Sequence, residues 1–237
     1  MSFLPPRWFA HRGGGSLAPE NTLAGIRLAA RLGFKAVELD VMLSGDGTPV
    51  LIHDETLACT TSGCGLVAET SDAVLFSLDA GQGERIPRFS EAAALCRELG
   101  LLANVEIKPA VGYEAVTAKV VADLVAKLWQ GAAVQPLISS FSLLALEIAR
   151  DLAPAIPRGL LFEDVPADWL AELARLDGVS LHCAASLLTD AVLAEAQAAR
   201  VPVLCYTVND PEQAKQLFRR GVSGLFTDRL DLNQPLS

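Results

Sequence analysis

The chain has 237 residues, 51% of them hydrophobic, which is enough to bury one core of barrel size and excludes a disordered or fibrous protein. Its 28 acidic residues outnumber 19 basic ones, giving a formal charge of −9 with no basic run, and this argues against a nucleic-acid partner. Any anionic substrate must then be held by local cations or a metal. The opening MSFLPPRWFAHRG lacks a charged n-region, an apolar h-region and a small-residue cleavage site, and no window approaches a membrane span. The expectation is a cytoplasmic protein with no membrane insertion. The five cysteines (Cys59, Cys64, Cys96, Cys183 and Cys205) include no CxxC pair, which suits a reducing compartment and neither a zinc site nor a disulfide framework.

In chain order, a short strand RWFAH (7–11) runs into a glycine-rich turn, then a helix near 21–32 ending at Gly33. AVELDVML (36–43) is the second strand. PVLIH (49–53) follows after only Gly45-Asp46-Gly47-Thr48, far too short for a parallel crossover, so it reads as the return arm of a hairpin. The poorly periodic stretch from Asp54 to about Pro87 reads as a small inserted cap. Next come LANVEIK (102–108) and a helix over 113–129 with Val116, Val120, Val121, Leu124 and Leu128 as its expected buried face. LISS (137–140), RGLLF (158–162), VSLHC (179–183), VPVLCYT (201–207) and GLFTD (224–228) complete eight barrel strands. The fold class expected is α/β, a (β/α)8 TIM barrel forming one domain over 1–237, with a cap subdomain (about 54–87) after strand 2. Its chemistry should gather at the C-terminal ends of the strands.

Strand alternation puts Val37, Leu39 and Val41 on one face and Ala36, Glu38, Asp40 and Met42 on the other. With the apolar set packed on helices, Glu38 and Asp40 point into the upper lumen, where unpaired carboxylates are costly. LANVEIK adds Glu106, with Lys108 on the same face. Three carboxylates without cysteine suit Mg2+, Ca2+ or Mn2+ better than zinc. The alternative is a salt-bridge network without metal, Glu106 with Lys108 and Glu38 or Asp40 with Arg12. His11 and His53 end strands beside these acids, and imidazoles there suit a general acid and a general base. Residues 13–18 formally satisfy GxGxxA, but Pro19 interrupts before the helix and a dinucleotide site would leave His53, Glu106 and Lys108 without a role. Tyr206 reads as an apolar wall or plain core, and His182 as structural or pocket-lining. Asp228 is expected to close the last strand by pairing with Arg229.

AHRG with PENT, then ELD, HD, EIK, SSF, YTVN and TD in that order, from about Phe9 to Asp228, resemble the glycerophosphodiester phosphodiesterases, in particular their cytosolic bacterial members. The resemblance implies a TIM barrel with an inserted subdomain and one divalent cation, Mg2+ before Ca2+ or Mn2+, held by Glu38, Asp40 and Glu106. It implies a catalytic pair His11 and His53, phosphate held by Arg12 and Lys108, and Glu20 supporting the site from behind. Tyr206 stands where many members have Trp, and the substrate pocket is expected to include both it and His182. The implied reaction is metal-dependent hydrolysis of small-molecule diesters such as glycerophosphocholine and glycerophosphoethanolamine to sn-glycerol 3-phosphate and an alcohol. A lysophospholipase D-like activity and a non-catalytic binding barrel are the alternatives.

Overall fold

In a computed structural model, residues 3–233 are described. Nine strands alternate with eight helices among them: β1 (Trp8–Ala10), α1 (Leu23–Arg31), β2 (Ala36–Leu43), β3 (Pro49–Leu51), α2 (Asp72–Leu75), α3 (Phe89–Glu98), β4 (Leu102–Ile107), α4 (Glu114–Leu128), β5 (Leu137–Ser140), α5 (Leu143–Leu152), β6 (Arg158–Phe162), α6 (Trp169–Arg175), β7 (Gly178–Ala184), α7 (Asp190–Ala199), β8 (Val203–Tyr206), α8 (Pro211–Arg220) and β9 (Gly224–Thr227). All strands but β3 pair in parallel, in the order β1-β9-β8-β7-β6-β5-β4-β2, and a β1–β2 pairing closes the ring. The fold is a (β/α)8 TIM barrel. β3 lies antiparallel on β2, pairing Val41 with Leu51, as the short connection requires. No helix among the described residues is long and apolar enough to cross a membrane.

Three apolar clusters show how alternation on one strand feeds three places. Val37, Leu39 and Val41 of β2 face the helix layer with Ile26, Ala29, Phe89 and Ala92. Ala36 points the other way, into a small lumen floor with Phe9, Leu204 and Phe226. Met42, at the top of the strand, leaves the barrel altogether and packs with Val50, Ile52, Leu57, Val67, Leu75 and Ile86. That last cluster is the interior of the 54–87 stretch, which contains two short 3-10 turns and α2.

Local signals set the helix ends. The Thr22 hydroxyl accepts from the Gly25 N–H at the start of α1, and Gly33 (φ +85°) follows its last turn. In α4 the buried face is Thr117, Ala118, Val121, Ala122 and Val125, so the expected face is corrected: Val116 is exposed, and Val120, Leu124 and Leu128 are half-buried. Small side chains, not the bulkiest ones, mark the side where α4 packs closely.

Candidate active site

His11 and Arg12 follow directly on β1, and the glycines behind them serve the fold. The N–H groups of Gly13, Gly14, Gly15, Ser16 and Leu17 donate to the carbonyls of Ala10, Arg12, His11, Asp228 and Gly14. All five donors are committed to backbone acceptors, so this is not a loop built to cradle a pyrophosphate. Gly15 (φ +51°) is required by contact as well as conformation, because a Cβ there would collide with the Asp228 carbonyl. The loop is thereby docked on the end of β9, which fixes His11 and Arg12 over the lumen.

Parallel pairing of β2 with β4 sets Glu38 beside Asn104 and Asp40 beside Glu106. Glu38, Asp40 and Glu106 are buried, and one oxygen from each lies within 4.8 Å of the others. Glu38 Oε2 accepts the Arg12 N–H at 2.8 Å, and Asp40 Oδ2 accepts Asn21 Nδ2 at 2.8 Å. Lys108 Nζ stands 3.6 Å from Asp40 Oδ1 and Arg12 Nε 3.8 Å from Oδ2. Glu38 Oε1 and Glu106 Oε1 have no hydrogen-bond partner among the described residues. Burial, reinforced by the Asp40 charge, pushes both glutamates up to about 8. Two orphaned buried oxygens in an all-oxygen, cysteine-free set are what a hard divalent cation satisfies. The ion-pair network without metal leaves both oxygens unsatisfied.

The imidazoles flank this cluster. His11 Nδ1 lies 2.7 Å from Asp228 Oδ1, which leaves Nε2 turned to the acids, 3.9 Å from Glu38 Oε2. Burial alone would lower the His11 pKa, but the Asp228 hydrogen bond and the charges of Glu38 and Asp228 outweigh it, and the net shift is upward. His53 follows β3, carried to the mouth by the hairpin, and its Nδ1 lies 2.9 Å from Asp54 Oδ1.

A cavity of about 180 Å³ gathers His11, Arg12, His53, Lys108, Tyr206 and the three acids, and closes against Phe141, Leu161 and Phe226. The Tyr206 hydroxyl donates to the Phe162 carbonyl at 2.7 Å, so this residue offers its ring to the cavity and keeps its polar end elsewhere. Glu20 stands outside the cavity and holds Arg12 Nη1 with both oxygens, at 3.0 and 2.9 Å. His182 is a correction. It does not line the cavity but is fully buried beneath it, 5.4 Å from the Phe226 ring, with Nε2 3.0 Å from Ser180 Oγ. Burial pushes it down to about 3, so it is neutral filling, admitted where Gly159 leaves room for its ring.

Asp228 is a second correction. Arg229 binds Asp231 through Nε and Nη2, at 2.8 and 2.7 Å, while Asp228 spends Oδ1 on His11 and Oδ2 on Asn209 Nδ2 at 2.8 Å. Sequence reasoning also passed over Asn21, whose left-handed backbone (φ +54°) lets it both donate to Asp40 and accept its N–H. The available signal was its place in PENT, next to an acid already singled out.

The sequence matches the Glycerophosphoryl diester phosphodiesterase family over residues 11–232. The chain belongs to this family. It is 32% identical to the glycerophosphodiester phosphodiesterase of Caldanaerobacter subterraneus subsp. tengcongensis over 228 residues, 92% of each chain. Among solved structures it resembles an Oleispira antarctica phosphodiesterase in complex with the product sn-glycerol-3-phosphate, with TM-score 0.90, 37% identity and coverage of 96% of this chain and 95% of that one. The glycerophosphodiester phosphodiesterase from Thermotoga maritima is similar at TM-score 0.78 and 26% identity over 95% of both chains. As a glycerophosphodiester phosphodiesterase the chain is a phosphoric diester hydrolase, and its three-carboxylate cluster could hold a metal ion.

Proposed function

We propose that this chain, working in the cytoplasm as one barrel domain with the 54–87 stretch as its cap, hydrolyses glycerophosphodiesters such as glycerophosphocholine and glycerophosphoethanolamine. The products are sn-glycerol 3-phosphate and an alcohol. The observation that carries the reading is the convergence of three buried carboxylates, two of them with an orphaned oxygen, between two imidazoles and beside Arg12 and Lys108. Glu38, Asp40 and Glu106 would hold one divalent cation, Mg2+ before Ca2+ or Mn2+. Such a cation supplies charge neutralisation at the phosphate oxygens.

The side chains do the rest. Arg12, held by Glu20, and Lys108 take the phosphate from the open side. His53, kept in one tautomer by Asp54, accepts a proton from the nucleophile, water or the glycerol hydroxyl beside the phosphate. His11 keeps its Nδ1 proton on Asp228 and gives its Nε2 proton to the alcohol oxygen as the P–O bond breaks. The Tyr206 ring and Phe141 give the glycerol carbons an apolar wall. A coupled assay for glycerol 3-phosphate released from glycerophosphocholine, with and without chelator, tests this. Chelator-sensitive product is expected; a protein that binds the diester without releasing product would instead be a binding barrel.

One observation favours a second reading. Val111 and Tyr113, between β4 and α4, and Phe141 and Leu144, after β5, expose apolar side chains at the mouth. An acyl chain on the glycerol would find that rim, as in a lysophospholipase D-like reaction. Faster choline release from lysophosphatidylcholine than from glycerophosphocholine would establish it over the first.

A further inference from the structure

Beside the acid-lined cavity lies a larger groove of about 580 Å³ that shares His11 and Arg12 with it and runs outward past Ser16, Asn209, Asp228 and Arg229. We propose that this groove receives the departing alcohol and that its wall selects a small uncharged polyol, such as glycerol, over choline. The inference rests on the phosphodiesterase reading above and names the substrate class of that site.

Geometry divides the substrate. The inner cavity of about 180 Å³ contains the carboxylates and ends at an apolar wall, so it accommodates the glycerol phosphate half that every such diester shares. His11 lines both spaces, with Nε2 turned to the acids of the cavity and Nδ1 to Asp228 of the groove, so an alcohol released beside this imidazole has the groove next to it. The variable half of the substrate therefore meets a different surface from the constant half.

That surface offers donors and acceptors side by side. Ser16 Oγ donates to the Asp228 carbonyl at 3.0 Å, which leaves its lone pairs to accept. Asn209 spends one Nδ2 hydrogen on Asp228 Oδ2, and the described residues leave the other to donate. Arg229 commits Nε and Nη2 to Asp231, and its Nη1 has no partner among them. A hydroxyl gives and takes a hydrogen bond, and it matches such a wall. Fixed charges in the groove are already paired: Arg12 with Glu20, Asp228 with His11, Arg229 with Asp231. No Phe, Tyr or Trp stands among the described residues that line it, and a trimethylammonium group is recognised chiefly by aromatic faces. The wall is also held in place, since the Ser16 N–H donates to the Asp228 carbonyl and the Asp228 N–H to Asn209 Oδ1, both at 2.8 Å. An alcohol then binds a surface that needs no ordering.

The test compares kcat/KM for glycerophosphoglycerol and glycerophosphocholine, with Mg2+ supplied, in the unaltered protein and in Ser16→Phe. The unaltered protein is expected to prefer glycerophosphoglycerol by about tenfold, the worth of one or two hydroxyl hydrogen bonds. Ser16→Phe, which removes an acceptor and adds an aromatic face, should collapse that ratio toward one, chiefly through KM for the polyol substrate. Equal or better hydrolysis of glycerophosphocholine by the unaltered protein would overturn the groove assignment and leave the phosphodiesterase reading standing. So would a Ser16→Phe protein slowed by one common factor on both substrates. Failure to split either diester would overturn the phosphodiesterase reading itself.

Discussion

His11 follows β1 and His182 lies within β7, and their surroundings give them opposite characters. His11 sits at the rim between carboxylates, with Asp228 on its Nδ1 and Glu38 facing Nε2, and its affinity for a proton is raised. His182 lies fully buried against Phe226 with only Ser180 for a polar partner, and burial pushes it down to about 3. Depth within the same lumen, a few ångströms along a strand, separates a group that can exchange protons at neutral pH from one that only fills space.

The sharpest way to break this contrast is to delete each imidazole. His11→Ala, and likewise His53→Ala, should lower kcat by about 10²–10⁴-fold with the far-ultraviolet circular dichroism unchanged. An essentially active double variant would end the acid and base assignments. His182→Ala should do the reverse, costing about 2–4 kcal/mol of stability in urea titrations through the cavity it leaves, while the folded enzyme keeps its turnover within a few-fold. Equal loss of activity from His182→Ala would place that residue in the reaction after all.

Asp228→Asn sharpens the same point, because it keeps the shape beside His11 but replaces an acceptor that holds the imidazolium. A loss of about ten- to a hundredfold is expected on alkyl leaving groups. It should largely vanish on a p-nitrophenyl ester, whose leaving oxygen needs no proton. A loss of the same size on both substrates would mean Asp228 does not act through proton donation by His11.

The smallest expected effect concerns protons and metal. Glu38 and Glu106, raised from 4.5 to about 8, bind more protons in the folded metal-free chain than in the unfolded one between those pH values. Since stability falls with pH wherever the native state binds more protons, the chelated protein should melt at progressively lower temperature as pH rises from about 5 to 8. A bound divalent cation displaces those protons, so Mg2+ should flatten or reverse the trend and calorimetry should show proton release on binding. A chelated protein whose melting temperature rises over that range would show that the two glutamates do not carry these shifts.

Much of this was readable from short-range pattern. Strand alternation in AVELDVML and LANVEIK puts three acids on one side because side chains on a strand must alternate, and parallel pairing then aligns Asp40 with Glu106. The hairpin through Gly45-Asp46-Gly47-Thr48 was legible from its length alone. Three things were not. Asp228 was paired with its neighbour Arg229 by proximity in sequence, whereas its real partner is 217 residues away across the closure of the barrel. His182 looks like His11 in its local sequence, and only the depth of its strand position distinguishes them. For α4, counting the bulkiest residues misplaced the buried face, because close helix packing is made by Thr117, Ala118 and Ala122.

Closure of β1 on β9 completes the proton donor. The acids stand on the adjacent staves β2 and β4, but the carboxylate that aligns His11 comes from the other side of β1, just past β9, and the turn after β1 is seated on that same strand end. The seam of the ring and the alignment of the imidazole are thus one and the same contact, and loosening the seam would disarm His11 while leaving the three acids together.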